Sequence, residues 1–332
     1  MSLVPESLRD PRIQTRFVQT KNLRFEVDQC LPESASDRLA LCLHGFPEHS
    51  FSWRHQLPLL ADLGYQAWAP NLRGYGASDR PAGQSAYAIE YLLEDVADLI
   101  DACGAQEVVL LAHDWGAVIA WYFAMRQIRP LNQLVICNVP HPQAMQNNFS
   151  WAQVRRSWYI FFFQIPGLAE RLLGRADGAA FKDMMRKSMD DPQHFPPEAG
   201  EVYRNNAMQP GALNAMINYY RALVAGGGAR RQAALGFPVI DTPTLMVWGE
   251  ADQALGKETT YGTDRYVSDL TLRYLPRVSH WVQQEQPHVV NAMLKAFLLG
   301  ETVPEMCWQP DLVLPQPAAV DSKPDISDTS TG

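Results

Sequence analysis

The chain of 332 residues is long for a single hydrophobic core, so we expect one large domain with an insertion, or two domains. Its 47% hydrophobic and 19% charged residues are typical of globular proteins and exclude wholesale disorder. A net charge of −8 argues against nucleic acid and anionic membranes as partners.

The cysteines and the apolar runs bear on the cellular compartment. The five cysteines include no Cys-x-x-Cys pair, which favours a reducing environment over a disulfide framework. The N-terminus lacks the basic and apolar regions of a signal peptide. No apolar run reaches the roughly 20 residues that a membrane span needs. We therefore predict a cytoplasmic protein without a membrane span.

The first 138 residues alternate between strand-like and helix-like patterns. A hairpin is predicted over 15–27. The pattern after it predicts strands at 39–43, 66–69, 108–111 and 131–138, and helices at 52–63, 87–102 and 117–125. Continuous apolar strands are typical of a sheet that is covered on both faces. We therefore expect a mainly parallel sheet flanked by helices.

The character of the sequence changes after residue 139. Helical stretches at 149–163, 167–173, 181–190, 197–207 and 212–225 predict an all-helical insertion, and strands at 244–248 and 271–275 with helices at 259–267 and 287–299 resume the alternation. We therefore divide the chain into a core at 1–139 and 239–302, a helical cap at 140–238, and a tail at 303–332. The tail is rich in proline and acidic residues, and we expect it to be flexible.

The residues after the predicted strand 108–111 carry a distinctive motif. Ala112-His-Asp-Trp-Gly116 places an acid between two small residues at a junction of strand and helix, which is the pattern of a nucleophile elbow. Serine is the usual central residue, and here it is Asp114. A carboxylate with an unperturbed pKa near ~3.9 is ionised at neutral pH, so it needs no base to act as a nucleophile.

Two later strand ends supply an acid and a histidine. Asp252 follows strand 244–248, and His280 follows strand 271–275. Nucleophile, acid and histidine occur in this chain order in hydrolases that are built around such an elbow. Groups at the carboxyl ends of parallel strands also meet at one edge of the sheet. Glu250 lies two residues before Asp252 and is the alternative partner of His280.

Five motifs occur in order at the predicted strand ends: His44-Gly-Phe-Pro47, Arg73-Gly-Tyr-Gly76, His113-Asp-Trp-Gly116, Trp248-Gly-Glu-Ala-Asp252 and Ser279-His-Trp281. On these motifs the chain resembles the epoxide hydrolases of the α/β-hydrolase fold, over most of its length. The resemblance implies an α/β-hydrolase fold, with a mostly parallel sheet flanked by helices and an inserted all-helical cap.

The resemblance also implies a reaction in two steps. Asp114 attacks an epoxide carbon and forms an alkyl ester, which water activated by His280 and Asp252 hydrolyses to a vicinal diol. Backbone N–H groups of Phe46 and Trp115 hold the oxyanion. The resemblance implies no cofactor and no metal, and the partners are a small hydrophobic epoxide and water.

Two cap tyrosines protonate the epoxide oxygen in the family, because a phenol stays protonated at neutral pH. The resemblance places the first at Tyr159, five residues before the glutamine of Phe163-Gln-Ile-Pro166, and the second at Tyr220 in Asn218-Tyr-Tyr-Arg221. Tyr219 is the neighbouring candidate for the second. The substrate pocket is expected at Phe46, Pro47, Trp115, Phe162 and Trp281.

Other functions remain open on the sequence. A haloalkane or haloacid dehalogenase shares the aspartate nucleophile and the histidine. The haloalkane type often has asparagine where this chain has Phe46, and the haloacetate type usually has arginine where it has Trp115. A non-catalytic ligand-binding protein of the same fold is an alternative of another class, against which the complete set of three groups argues. The sequence does not choose between a monomer and a homodimer.

Overall fold

The computed structural model describes residues 3–306, and its central feature is one eight-stranded β-sheet. The strands are β1 (Gln14–Gln19), β2 (Arg24–Cys30), β3 (Arg38–Leu43), β4 (Gln66–Pro70), β5 (Glu107–His113), β6 (Gln133–Cys137), β7 (Thr244–Gly249) and β8 (Leu270–Leu275). Their order in the sheet is β1-β2-β4-β3-β5-β6-β7-β8. β2 runs antiparallel to β1 and β4, and the other neighbours pair in parallel.

Helices connect the parallel strands and cover the sheet. Three of them precede β6: α1 (Leu57–Asp62), α2 (Ile89–Cys103) and α3 (Trp115–Met125). Between β6 and β7 the chain forms α4 (Pro142–Asn147), α5 (Trp151–Arg156), α6 (Trp158–Phe163), α7 (Leu168–Leu173), α8 (Ala179–Ser188), α9 (Pro197–Ala207), α10 (Ala212–Leu223) and α11 (Gly228–Ala234). The last two are α12 (Val282–Glu285) and α13 (Pro287–Leu298).

Apolar side chains of the central strands enter two separate layers. On β5, Leu110 and Ala112 pack in the layer that contains residues of α2 and α3. Val109 and Leu111 enter the opposite layer with residues of α1 and α13. Successive side chains of a strand point to opposite faces, so a strand covered on both faces has to be apolar throughout. The predicted fold class, a mostly parallel sheet flanked by helices, is confirmed.

Several predicted helices differ from the observed ones. The stretch 149–163 forms two short helices that are interrupted at Ser157, whose hydroxyl accepts a hydrogen bond from the Gln153 amide. The stretch 259–267 holds two 3₁₀ turns, Lys257–Thr260 and Thr263–Arg265, because Gly262 between them has a left-handed φ of 78°. In 52–63 only Leu57–Asp62 is α-helical, after a 3₁₀ turn at Ser50–Trp53.

The regular elements between β6 and β7 are all helices, as the sequence predicts. The domain boundaries at 139/140 and 238/239 stay a prediction. Most of the predicted flexible tail, 307–332, lies outside the described residues. Along residues 3–306, none of the helices combines the length and hydropathy that crossing a lipid bilayer requires.

Candidate active site

Asp114 occupies a sharp turn between β5 and α3. Its backbone has φ 47° and ψ −120°, a conformation that residues with a side chain rarely adopt. The turn fits because its neighbours are small: a Cβ on Gly45 would overlap the Asp114 side chain, and a Cβ on Gly116 would overlap the Leu43 carbonyl. The elbow predicted from the sequence is therefore present, and it presents the Asp114 carboxylate at the carboxyl end of the sheet.

His280 lies between the two predicted aspartates. Its Nε2 is 3.5 Å from Oδ2 of Asp114, and its Nδ1 is 2.6 Å from Oδ2 of Asp252. Asp252 lies in the turn after β7, and His280 lies in the loop after β8. The parallel strands therefore bring together three residues that are far apart in the chain, as the sequence predicts.

Asp252 is held by four donors. Its Oδ1 accepts hydrogen bonds from the N–H groups of Ala254 and Leu255, at 2.7 and 2.9 Å. Its Oδ2 accepts one from the Asn138 amide at 2.8 Å, in addition to the contact with His280. Asn138 follows β6 and itself accepts the Gly249 N–H. This arrangement fixes the carboxylate and keeps it ionised.

Glu250, the alternative partner of His280, lies elsewhere. Its partly exposed carboxylate forms an ion pair with Lys257. Asp252 is buried beside the histidine, whereas Glu250 faces solvent. The geometry therefore supports Asp252 as the group that orients His280.

The three groups shift one another's pKa values. Burial opposes a charge on His280, but the two carboxylates beside it outweigh burial and raise its pKa to about 10. Burial by itself would raise the pKa of the Asp114 carboxyl. The hydrogen bond and charge of His280, with the Phe46 N–H, hold that pKa below its ordinary value. The pKa of Asp252 is also lowered, since His280 and Asn138 outweigh its burial. These directions favour an imidazolium between two carboxylates in the resting site.

The two Asp114 oxygens have different surroundings. Oδ1 accepts the Phe46 N–H at 2.6 Å, whereas Oδ2 faces His280. The Phe46 N–H, in the loop after β3, thus lies against Oδ1, and its role as an oxyanion donor stays a prediction. Trp115 heads the first turn of α3, where N–H groups have no intrahelical acceptor. Its part as the second donor stays a prediction.

The cap places two tyrosines over the elbow. Tyr159 of α6 and Tyr220 of α10 line the same cavity as Asp114 and His280, with their ring centroids 5.9 Å apart. Tyr219 is fully buried, and its hydroxyl donates a hydrogen bond to the Arg73 carbonyl at 2.8 Å. Burial raises the pKa values of Tyr159 and Tyr220 above the ordinary range, and the Asp114 charge adds to the shift. The geometry supports Tyr220 over Tyr219, and both cavity tyrosines stay protonated.

The cavity has a volume of about 440 Å³ and a mainly apolar wall. Asp114, His280, Tyr159 and Tyr220 line it. They share it with these residues: Phe46, Trp158, Phe162, Phe163, Leu173, Phe181, Met184, Trp281, Arg156, Ser188, Gln253 and Ala254. Of the predicted pocket residues, Phe46, Phe162 and Trp281 line it, whereas Pro47 and Trp115 do not. The Trp115 ring instead packs edge-on against Tyr219 and Tyr220, with centroids 5.4 and 5.0 Å away.

Sequence and structure comparisons identify the family of the chain. The model of the alpha/beta hydrolase fold family matches residues 41–287. Epoxide hydrolase 4 of Mus musculus is 35% identical over 306 residues, which cover 90% of this chain and 83% of that protein. The chain belongs to the α/β-hydrolase family, among its epoxide hydrolases. The family that the sequence motifs predicted is confirmed.

Other members of this family are similar over comparable lengths. The AB hydrolase superfamily protein YfhM of Bacillus subtilis is 33% identical over 292 residues, which cover 87% of this chain and 99% of that protein. The crystal structure of a Bacillus megaterium epoxide hydrolase in complex with an inhibitor has a TM-score of 0.77 at 27% identity. The match covers 86% of this chain and 100% of that one.

This α/β hydrolase has a buried polar network that sequence reasoning missed. Glu48 is fully buried and accepts hydrogen bonds from the Gly45 N–H and from the amides of Gln283 and Gln284. Its Oε2 is also 2.7 Å from Nδ1 of His113, whose Nε2 is 2.9 Å from the His280 carbonyl. The network joins the loop after β3 to the backbone of His280.

The sequence offered a weak signal for these residues. Glu48 directly follows the His44-Gly-Phe-Pro47 motif, and His113 directly precedes Asp114. Asn138 follows an apolar strand at the same edge of the sheet. Polar residues next to strand ends are common, so the residue types alone do not identify the contacts.

Proposed function

We propose that this hydrolase converts small hydrophobic epoxides to vicinal diols through an alkyl ester on Asp114. The observation that carries the proposal is that Tyr159 and Tyr220 line the same cavity as Asp114 and His280. A strained ether needs a nucleophile at carbon and a proton donor at oxygen, and the cavity brings these groups together. Relatives that carry the name epoxide hydrolase support the same reaction.

The first step forms the ester. Oδ2 of Asp114 attacks a ring carbon, the carbon–oxygen bond of the epoxide breaks, and the released oxygen takes a proton from Tyr159 or Tyr220. The pKa values of both phenols are raised by burial, so the tyrosinate readily recovers a proton, and the His280 imidazolium is the nearby source. At the end of the step the ester and the imidazole are both neutral.

The change in charge prepares the second step. The Asp114 carboxylate helps to raise the pKa of His280, and esterification removes that charge. The pKa of His280 therefore falls in the intermediate, and the ring becomes a neutral base while Asp252 keeps it oriented. The same residue is an acid in the resting site and a base after alkylation.

The second step releases the diol. His280 takes a proton from water, and the hydroxide attacks Cγ of the ester. The Phe46 N–H already contacts Oδ1, where negative charge develops, and such a donor is typically worth about 3 to 4 kcal/mol in the transition state. Cleavage of the bond between Cγ and Oδ2 expels the diol oxygen, which takes the proton back from His280. Ionisation of the regenerated Asp114 then restores the imidazolium.

The dehalogenase alternative has less support. A departing halide needs N–H donors around it, and the residue after His44-Gly45 carries the apolar side chain of Phe46. The Trp115 ring packs against Tyr219 and Tyr220 and does not line the cavity. The cavity tyrosines suit a developing alkoxide, which accepts a proton, better than a halide.

The test is a single turnover of styrene oxide by the His280→Gln variant, followed by mass spectrometry of the peptides. We expect an alkyl-ester adduct on the peptide that contains Asp114, and none in an Asp114→Asn control. In ¹⁸O-labelled water the wild-type enzyme should place the label in Asp114 and not in the first diol released, because the new carboxylate oxygen comes from water. An unmodified peptide despite bound substrate contradicts the proposal, as does halide release from haloalkanes without diol formation from epoxides.

A further inference from the structure

Three consecutive cap helices expose large apolar side chains. Trp151 of α5 is 85% exposed, and Trp158 and Phe161 of α6 are 62% and 60% exposed. Ile165, which precedes α7, and Leu168, its first residue, are also exposed. We call these five residues the aromatic surface. Trp158 and Phe161 are three positions apart, which places them on the same face of α6. Exposed aromatic residues that recur on neighbouring elements indicate an interaction surface.

The helices are in contact, and they lie at the entrance of the cavity. α5 packs on α6, and α6 packs on α7. Trp158 and Arg156 both line the cavity and are exposed to solvent. A residue that lines a cavity and is also largely exposed marks its opening. The aromatic surface therefore surrounds one side of the entrance through which a hydrophobic molecule reaches Asp114.

The charge of this region is opposite to that of the chain as a whole. Residues 149–175 contain four arginines and one glutamate, and 140–238 has a net charge of +4 in a chain of net −8. The glutamate, Glu170, is already paired with Arg221. Arg155, Arg171 and Arg175 are exposed, and they have no carboxylate partner within residues 3–306.

We propose that the aromatic surface and these arginines dock the enzyme on anionic lipid bilayers, with the cavity entrance facing the lipid. Tryptophan and phenylalanine next to arginine suit the interface between headgroups and acyl chains. The net charge of the whole chain argues against anionic membranes, but charges interact over only about 8 Å at physiological ionic strength. The local positive charge of the docked face therefore decides the interaction.

A second copy of the chain fits this surface less well. Two copies that met through it would bring unpaired arginines against unpaired arginines, and like charges across an interface are unfavourable. An anionic bilayer offers the opposite charge together with an apolar interior. The geometry thus favours a lipid surface over self-association.

The test is co-sedimentation with phosphatidylcholine vesicles that either contain or lack phosphatidylserine. We expect the wild-type protein to bind the phosphatidylserine vesicles more strongly, and to be released by salt. The Arg155→Gln/Arg171→Gln variant should lose about fivefold in partition coefficient for each arginine. The Trp151→Ser/Phe161→Ser variant, whose residues do not line the cavity, should bind both kinds of vesicle more weakly.

Matched controls separate the surface from general effects. Leu31 and Leu299 are each 51% exposed, so Leu31→Ser/Leu299→Ser removes comparable apolar area elsewhere and should leave binding unchanged. Arg9→Gln/Lys21→Gln removes two exposed positive charges outside the cap and should also leave it unchanged. Thermal unfolding of every variant verifies that it is folded. Equal losses in the control and surface variants would overturn the proposal.

Two further outcomes contradict membrane docking. The first is that the wild-type protein does not bind phosphatidylserine vesicles. The second is that it does not bind vesicles but forms a concentration-dependent dimer, which the Trp151→Ser/Phe161→Ser substitutions dissociate. Vesicle binding requires no chemistry at Asp114, so the Asp114→Asn variant should bind like the wild type. Failure of docking and failure of the proposed epoxide hydrolysis are therefore observed separately.

Discussion

Nε2 of His280 lies 3.5 Å from Oδ2 of Asp114, whereas the other carboxylate oxygen, Oδ1, accepts the Phe46 N–H. One oxygen of the carboxylate thus faces His280, and the other faces the Phe46 N–H. This division predicts which oxygen forms the ester and which one carries the negative charge during hydrolysis.

Replacement of Asp252 should affect the second step far more than the first. Asp252→Asn removes the charge that orients His280 and favours its protonation, so we expect ester hydrolysis to slow roughly 10²- to 10⁴-fold. Rapid quenching with mass spectrometry should then find the Asp114 adduct accumulating. Glu250→Gln is the matched control, because Glu250 pairs with Lys257, and it should turn over normally. Equal effects of the two substitutions would show that Asp252 has no special part.

The two adjacent tyrosines should separate catalysis from stability. Tyr220→Phe removes a proton donor from the cavity, and we expect alkylation of Asp114 to slow roughly 10²-fold. The loss of the hydrogen bond between the Tyr220 hydroxyl and Trp115 should lower the unfolding free energy by at most about 1 kcal/mol. Tyr219→Phe leaves the buried Arg73 carbonyl without its hydrogen bond, which should cost about 1 to 3 kcal/mol of unfolding free energy. Stopped-flow adduct formation and urea unfolding measure the two effects. If Tyr219→Phe slowed alkylation more than Tyr220→Phe, the assignment of the second acid would be reversed.

Alkylation should persist in acid. His280 and the Phe46 N–H hold the pKa of Asp114 below the ordinary value of 3.8, so the nucleophile stays ionised at pH values where a free carboxyl takes up a proton. The rate of adduct formation in the wild type should therefore fall only below pH ~4. In His280→Gln the lowering influence is gone and burial remains, so the acid limb should move to higher pH. Quenched flow measures the rate of adduct formation as a function of pH. If the rate fell at the same pH in both proteins, the prediction would be contradicted.

The folded protein should lose stability as the pH rises through the alkaline range. The pKa of His280 is raised to about 10 in the folded state, against about 6.5 for an unfolded histidine. Its contribution to the unfolding free energy is complete below pH ~6.5 and is lost as the pH rises through about 10. Urea unfolding at several pH values should give a decline that is steeper in the wild type than in His280→Gln. Parallel curves would mean that His280 is not protonated in the resting enzyme.

The secondary structure followed from local patterns where those patterns were strong. Apolar runs such as Val108–Leu111 predicted the buried strands, because a strand covered on both faces admits few polar residues. Short elements were predicted less well. The helix expected over 259–267 consists of two 3₁₀ turns around Gly262, since a left-handed residue ends regular structure whatever the surrounding periodicity.

The sequence by itself determined the family, the elbow at Asp114 and the order of Asp252 and His280, because these depend on residue types at fixed places relative to strand ends. The tertiary structure decided which neighbours complete the site. It placed Tyr220 on the cavity and Tyr219 against Arg73, and it joined Glu48 to His113 across the sheet edge. Adjacent residues on a helix point in different directions, and buried hydrogen-bond partners are distant in the chain. The packing of the cap against the sheet therefore determines these contacts, and no local sequence pattern predicts them.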